Sequence, residues 1–250
     1  IRGPAGSGKS VVVSGRAGRL ARESKKVLCV TYNITLIHYL KDLCFRHKDT
    51  DPLSVVWINF HLWCRRMAYE LGVIDEYLDL FKKYGQKEIS SQQLFDVEIS
   101  DLIMRYSLER KDITKYDAII IDEGQDFRDN WLKLLRQYLN ANGEFLFASD
   151  MAQDVYGTSR NWTDETMSGC GFSGSWNELT CSYRLPPEAI PFLNDFKQTY
   201  TKIDAKELLM PDAQGELEIF PVIITWRNVD EELNDRQCVT ELMDIIGNER

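Results

Sequence analysis

The first ten residues constrain this chain more than any other stretch, because Gly3-Pro4-Ala5-Gly6-Ser7-Gly8-Lys9-Ser10 satisfies G-x-x-x-x-G-K-[ST], the phosphate-binding P-loop pattern. Glycines let the backbone curl until several N–H groups point inward, and the succeeding helix adds its positive N-terminus. Lys9 is placed to reach the β- and γ-phosphates of a nucleotide, and the Ser10 hydroxyl to hold Mg²⁺. Gly3, Gly6, Ser7, Gly8, Lys9 and Ser10 are therefore the expected nucleotide contacts. A P-loop joins a buried strand to a helix, which commits the chain to an α/β architecture. Only Ile1 and Arg2 precede the loop, so most of that strand is expected to lie outside these residues.

The rest of the chain agrees with a globular α/β protein. Hydrophobic residues make up 44% of the 250, enough for a core, and no apolar run approaches the roughly 20 residues of a membrane span. No secretory leader is visible, which makes the cytoplasm the expected address. Six cysteines without a C-x-x-C pair signal neither zinc nor a disulfide framework and read as buried thiols. A formal charge of −9 argues against a uniformly basic coat for nucleic acid but leaves room for a local groove. Arg16, Arg19, Arg22, Lys25 and Lys26 cluster after the P-loop, and their spacing reads as a solvated helix face.

Helical spacing predicts a helix from Lys9 to about Glu23, a buried strand over Val27–Tyr32, a helix over Thr35–Phe45 and a strand over Val55–Phe60. Strands alternating with helices predict an α/β architecture with a mostly parallel sheet, helices on both faces and ligands at the strands' carboxyl ends. From Leu62 to Lys115 helical spacing alone dominates, which reads as a small helical insertion. The sheet resumes at Tyr116–Glu123, succeeded by a helix over Trp131–Leu139 and a strand over Glu144–Ala148. Asp150 to Ser175 reads as a long loop, then a strand near Glu178–Cys181 and a helix to Tyr200. A last β–α unit begins near Gly215. The expected organisation is a first ATPase domain over 1–61 and 116–201, an insertion over 62–115, and a linker with the start of a second domain over 202–250.

Apolar residues ending in Asp122-Glu123 suit a strand facing a P-loop. Asp122 can hold the hydration shell of Mg²⁺, and Glu123 can take a proton from an attacking water. Asp122-Glu123-Gly124-Gln125-Asp126-Phe127 resembles the D-E-x-Q-D motif of superfamily I DNA helicases of the UvrD/Rep/PcrA type. Thr31-Tyr32-Asn33 is similar to motif Ia of that family and Asn59-Phe60-His61 to its T-F-H segment. Ser149–Tyr156 is similar to motif III, and Leu179–Arg184 to motif IV, L-x-x-N-Y-R. The resemblance runs in order from Gly3 to Arg184.

It implies an ATP- and Mg²⁺-dependent motor moving on single-stranded DNA, without distinguishing DNA from RNA. By the same resemblance Gln153 would sense the γ-phosphate, Arg184 would neutralise its charge, and Gln125 would couple the nucleotide to motif III. Tyr32, Asn33, Phe60, His61 and Tyr156 would line the strand's track, with Trp162 substituting for an aromatic residue where the chain has Thr158. Ser182 stands where the family has Asn. Nothing resembles the family's motifs V and VI, so the chain is expected to be the N-terminal motor half, binding nucleotide but turning it over slowly without a second RecA-like domain. The alternative is a nucleotide-gated DNA-binding or repair and defence ATPase module without unwinding activity.

Overall fold

A computed structural model describes residues 1–46, 51–110, 112–150, 162, 164–185, 189–200 and 212–213. Four strands, β1 (Val27–Thr31), β2 (Val55–Asn59), β3 (Tyr116–Asp122) and β4 (Leu139–Phe147), form a parallel sheet in the order β2-β1-β3-β4. Every residue of β1 is buried, as a strand covered on both faces requires. Leu28, Val30, Ile119 and Ile121 point into one core and Val27, Cys29, Ala118 and Ile120 into the other, the period-two alternation of a strand read on two apolar faces.

The smaller core lies under α1 (Lys9–Arg22) and α2 (Leu36–Phe45). The larger is roofed by α3 (Phe60–Leu71), α4 (Ile74–Gly85), α6 (Ile99–Glu109) and α7 (Asp129–Gln137). Between α4 and α6 a helical turn, α5 (Ser91–Gln93), passes into a π-helical turn over Leu94–Glu98. A π turn leaves main-chain carbonyls off the regular ladder, and here they serve the other elements. Phe95 O meets His61 Nε2 at 3.2 Å, and Asp96 O accepts from Asn130 Nδ2 at 2.9 Å and Trp131 Nε1 at 3.1 Å.

Beyond β4, Arg2 forms parallel bridges to Ser149 on one side and Glu178 on the other, so residues 1–3 lead into the P-loop from a strand-like position. The fold class expected from sequence is the one observed. Three stretches differ by more than one residue. The helix expected over 131–139 is α7, two residues earlier at each end, and β4 begins at Leu139, paired with Tyr116 before a register shift brings Glu144 opposite Ala118. The stretch expected as a loop contains α8 (Asp164–Gly169), anchored by Met167 and Cys170 in the larger core. The strand expected near Glu178 is a bridge there plus a two-residue β5 (Cys181–Ser182). The final helix expected to Tyr200 is α9 (Ala189–Tyr200). The β–α unit expected from Gly215 lies outside the described residues.

The basic cluster after the P-loop is largely tied down. Arg16 pairs with Glu144 and Arg19 with Glu23, while Lys26 Nζ sits 5.2 Å over the Tyr116 ring. Cys29, Cys44, Cys64 and Cys170 are buried free thiols. Among the described residues no helix is long and apolar enough to cross a membrane.

Candidate functional site

Because the sheet is parallel, the carboxyl ends of its strands share one edge. Thr31 pairs with both Asn59 and Asp122, so β1, β2 and β3 end on the same rung. The segments leaving these three strands therefore meet one another along that edge.

The P-loop enters α1 through Gly6 (φ 76°) and Gly8 (φ 87°), both in the left-handed region that favours glycine. Gly6 is also pressed from outside: a Cβ there would lie 2.7 Å from both Arg184 Cβ and Ser182 Oγ. That closeness is built by hydrogen bonds, Tyr183 N–H to Gly6 O at 2.9 Å and Ser182 Oγ–H to Ala5 O at 3.0 Å. The serine that departs from the family pattern thus clasps the loop, and is itself buried.

Loop and clasp enclose a cavity of about 770 Å³ lined by Gly6, Ser7, Gly8, Lys9, Ser10, Glu123 and Arg184 at its polar end. Val11, Val12, Leu36, Tyr39, Leu179 and Tyr183 supply apolar lining. Its size lies within the range of roughly 300–1,000 Å³ usual for small-molecule sites. Lys9 Nζ donates to Gly3 O at 2.7 Å and Pro4 O at 3.0 Å, and lies 3.5 Å from Asp150 Oδ2. Ser10 Oγ donates to Asp122 Oδ2 at 2.9 Å.

Asp122 is 2% exposed and its Oδ1 has no hydrogen-bond partner. Burial, then the neighbouring Glu123, push its carboxyl up to about 6, with the Ser10 hydroxyl pulling the other way. A buried carboxylate oxygen with no partner, beside a serine hydroxyl, is a donor set suited to a hard cation such as Mg²⁺. Gly8 has nothing within 4 Å of where a side chain would begin, which leaves the helix N-terminus open to a phosphate. These residues fit Mg²⁺ and a nucleoside triphosphate.

Glu123 has φ 53° and ψ 47°, a left-handed conformation that is uncommon for a residue with a side chain and concentrated at functional sites. Its Oε2 accepts from Gln125 Nε2 at 2.6 Å. Gln125 is 3% exposed, and its Oε1 accepts from the Asp150 N–H at 2.9 Å. Gly124 N–H donates to Ala148 O at 2.8 Å, and a Cβ on Gly124 would strike the Phe147 ring at 2.3 Å. This turn therefore has room for no other residue.

A second concavity of about 610 Å³ opens on the same edge, lined by Tyr32, Asn33, Ile34, Asn59, His61, Leu62 and Asp126. Asn59 organises it: its Oδ1 caps α3 by accepting from the N–H groups of His61 and Leu62, and its Nδ2 donates to Tyr32 O. The Asn33 side-chain Oδ1 accepts from Thr35 N and Oγ1 at 2.9 and 2.8 Å. The His61 imidazole is half-buried, and loss of solvent lowers its pKa below the ordinary value, partly offset by the Phe95 carbonyl and Asp96.

Two aromatic residues expected on the track are core instead. Phe60 is 0% exposed and stacks on Trp131 at 4.4 Å, because α3 begins there with its first side chain turned inward. Trp162 is 4% exposed and packs on Phe147 at 4.9 Å, next to the α8 residues that fill the same core. Tyr32, Asn33 and His61 share the groove; Gln153 and Tyr156 lie outside the described residues. Sequence reasoning overlooked Trp131, a core residue that stacks between Tyr32 (6.2 Å) and Phe60 and backs the Tyr32 ring from inside. Its place in the apolar periodicity of α7 marked it only as core. Tyr39 and Tyr183 in the nucleotide cavity were also overlooked, although Tyr183 immediately precedes Arg184.

Among curated proteins none matches the chain. The family model described as AAA domain matches residues 1–159, more than half of the 250-residue chain, and with a P-loop, a parallel sheet and an acidic strand end around one cavity the protein belongs to that family of P-loop ATPase domains.

Proposed function

We propose that this chain is the motor half of an ATP-dependent translocase or helicase acting on single-stranded nucleic acid, DNA in the first instance. The observation that carries the proposal is the shared strand edge. The rung that ends in Asp122 also ends in Thr31 and Asn59, so the nucleotide cavity and the Tyr32/Asn33/His61 groove are built on adjacent strand ends.

In this proposal Lys9 and the P-loop N–H groups would hold the β- and γ-phosphates of ATP, and Ser10 and Asp122 would hold Mg²⁺. When bound, Mg²⁺ supplies charge neutralisation for the transferred phosphoryl group. Glu123 accepts the proton of the attacking water, and its hydrogen bond from Gln125 fixes where that carboxylate points. Arg184 lines the same cavity and offers a guanidinium to charge developing on the γ-phosphate. Gln153 completes the set by family resemblance. In the groove, Tyr32 offers a ring face backed by Trp131, and base stacking on such a face is tolerant of sequence.

Residues 1–61 and 116–201 would form the first RecA-like unit, 62–115 a reduced accessory domain, and 202–250 a linker and the start of a second RecA-like unit. The test is steady-state ATP hydrolysis with and without single-stranded DNA, beside a Lys9→Ala control. Slow hydrolysis that DNA stimulates and Lys9→Ala abolishes supports the proposal. Hydrolysis indifferent to DNA and RNA, with no binding of either, removes the translocase part. A second reading, a nucleotide-gated binding or repair ATPase without unwinding, draws on the burial of Phe60 and Trp162, which leaves fewer rings for a track. Duplex unwinding by the protein joined to its second motor unit separates the two.

A further inference from the structure

Among the ion pairs of the described residues, Lys9–Asp150 is set apart by burial. Its side chains are 8% and 3% exposed, whereas both members of every other pair are at least 20% exposed. An ammonium group has three donors. Two of those on Lys9 go to Gly3 O and Pro4 O, and Asp150 Oδ2 lies 3.5 Å from the ammonium, a charge contact without a hydrogen bond.

We propose that Asp150 is the resident counter-ion of Lys9 in the nucleotide-free domain, and that a bound phosphate chain takes its place. The proposal rests on the reading of the P-loop cavity as a phosphate site. Two buried charges tolerate one another only while paired. A polyphosphate at Lys9 brings further negative charge to a carboxylate that water does not reach, and repulsion displaces Asp150. That displacement is felt elsewhere, because the Asp150 N–H is the donor to Gln125 Oε1, and Gln125 in turn holds Glu123. Asp150 is thus a positioning residue: through Gln125 it makes the orientation of Glu123 depend on what Lys9 is paired with.

The test compares wild type, Lys9→Met, Asp150→Asn and the double variant. Denaturation without nucleotide is measured first, then titration with inorganic tripolyphosphate and with ATP. Each single variant is expected to lose stability and the double variant to regain part of it, since each single removes one member of the buried Lys9–Asp150 pair while the other keeps its charge. Asp150→Asn is expected to bind tripolyphosphate roughly tenfold more tightly than wild type, having lost a close competitor for Lys9. Asp150→Glu, which keeps the charge, is expected to stay near wild type. A merely structural aspartate would not raise affinity on removal.

Additive losses in the cycle overturn the counter-ion assignment whatever the nucleotide does. So does tripolyphosphate affinity that Asp150→Asn leaves unchanged or weakens while wild type binds ATP. Should Asp150→Asn fail to fold, rescue by the added Lys9→Met supports the assignment and failure of rescue overturns it. Wild type that binds neither tripolyphosphate nor ATP, with coupling intact in the cycle, overturns the phosphate-site reading and the displacement, while the ion pair stands.

Discussion

The nucleotide cavity and the neighbouring groove stand on the same strand ends but are made differently. The cavity is set by backbone: positive φ at Gly6, Gly8 and Glu123, a clasp from Ser182, and polar side chains sunk to a few per cent exposure. The groove is set by which way aromatic rings turn. Tyr32 and His61 reach its surface, while Phe60, adjacent to His61 in sequence, lies wholly inside. A site defined by main-chain geometry leaves a spacing pattern in the sequence. A site defined by ring orientation is decided by packing that the local sequence does not contain.

The largest expected difference between the two regions is chemical. Glu123→Gln should lower the rate of ATP hydrolysis by about 10²–10⁴-fold with nucleotide affinity little changed, as loss of a general base does. Single-turnover hydrolysis beside a binding titration measures both. An equal loss of DNA affinity in that variant, measured without nucleotide, would erase the distinction between cavity and groove.

Next comes the contrast within the groove. Phe60→Ala should cost about 3–5 kcal/mol in urea denaturation, the usual penalty for emptying a buried aromatic site. Tyr32→Ala should cost much less stability and weaken single-stranded DNA by about 1–3 kcal/mol. Reversal of the two effects would put Phe60 on the surface after all.

Acid titration sharpens the cavity side. With its folded pKa raised from 3.8 to about 6, Asp122 keeps a proton in the folded state that the unfolded chain releases, so its contribution disfavours folding increasingly as pH rises from about 4 through about 6. In metal- and nucleotide-free protein the stability difference between Asp122→Asn and wild type should grow across that window. It should level off at higher pH at no more than about 3 kcal/mol, the equivalent of a two-unit shift. A flat difference would mean the carboxylate is ionised without cost. The smallest effect belongs to Arg19→Ala on the exposed face of α1, under about 0.5 kcal/mol in the same denaturation measurement.

Much of this was legible in the sequence for identifiable reasons. The P-loop and the run Ala118–Asp122 announced themselves because each is a local pattern with a backbone meaning, whereas Tyr32, Asn33 and His61 came from the family resemblance alone, and the structure brings them to one groove. Phe60 and Trp162 misled because an aromatic residue beside a motif is equally suited to core. Leu139–Gly143 misled because Leu139 completes an apolar helical pattern, yet pairs with Tyr116 once the chain has turned. Trp131 carried no signal separating a residue that backs the groove from any other core residue, since that role depends on a ring about a hundred positions away.

The π turn over Leu94–Glu98 has an evolutionary side. Such a turn is equivalent to one residue inserted into an α-helix. Excising a residue there would return Phe95 O and Asp96 O to the helical ladder and rotate everything beyond by about 100°. Ile99, Leu102 and Ile103 would swing out of the core, and His61, Asn130 and Trp131 would lose their acceptors together. The helical segment is therefore keyed to the groove by a single residue of length, and related chains that trade this segment for another would have to keep that extra residue or rebuild the packing behind the groove.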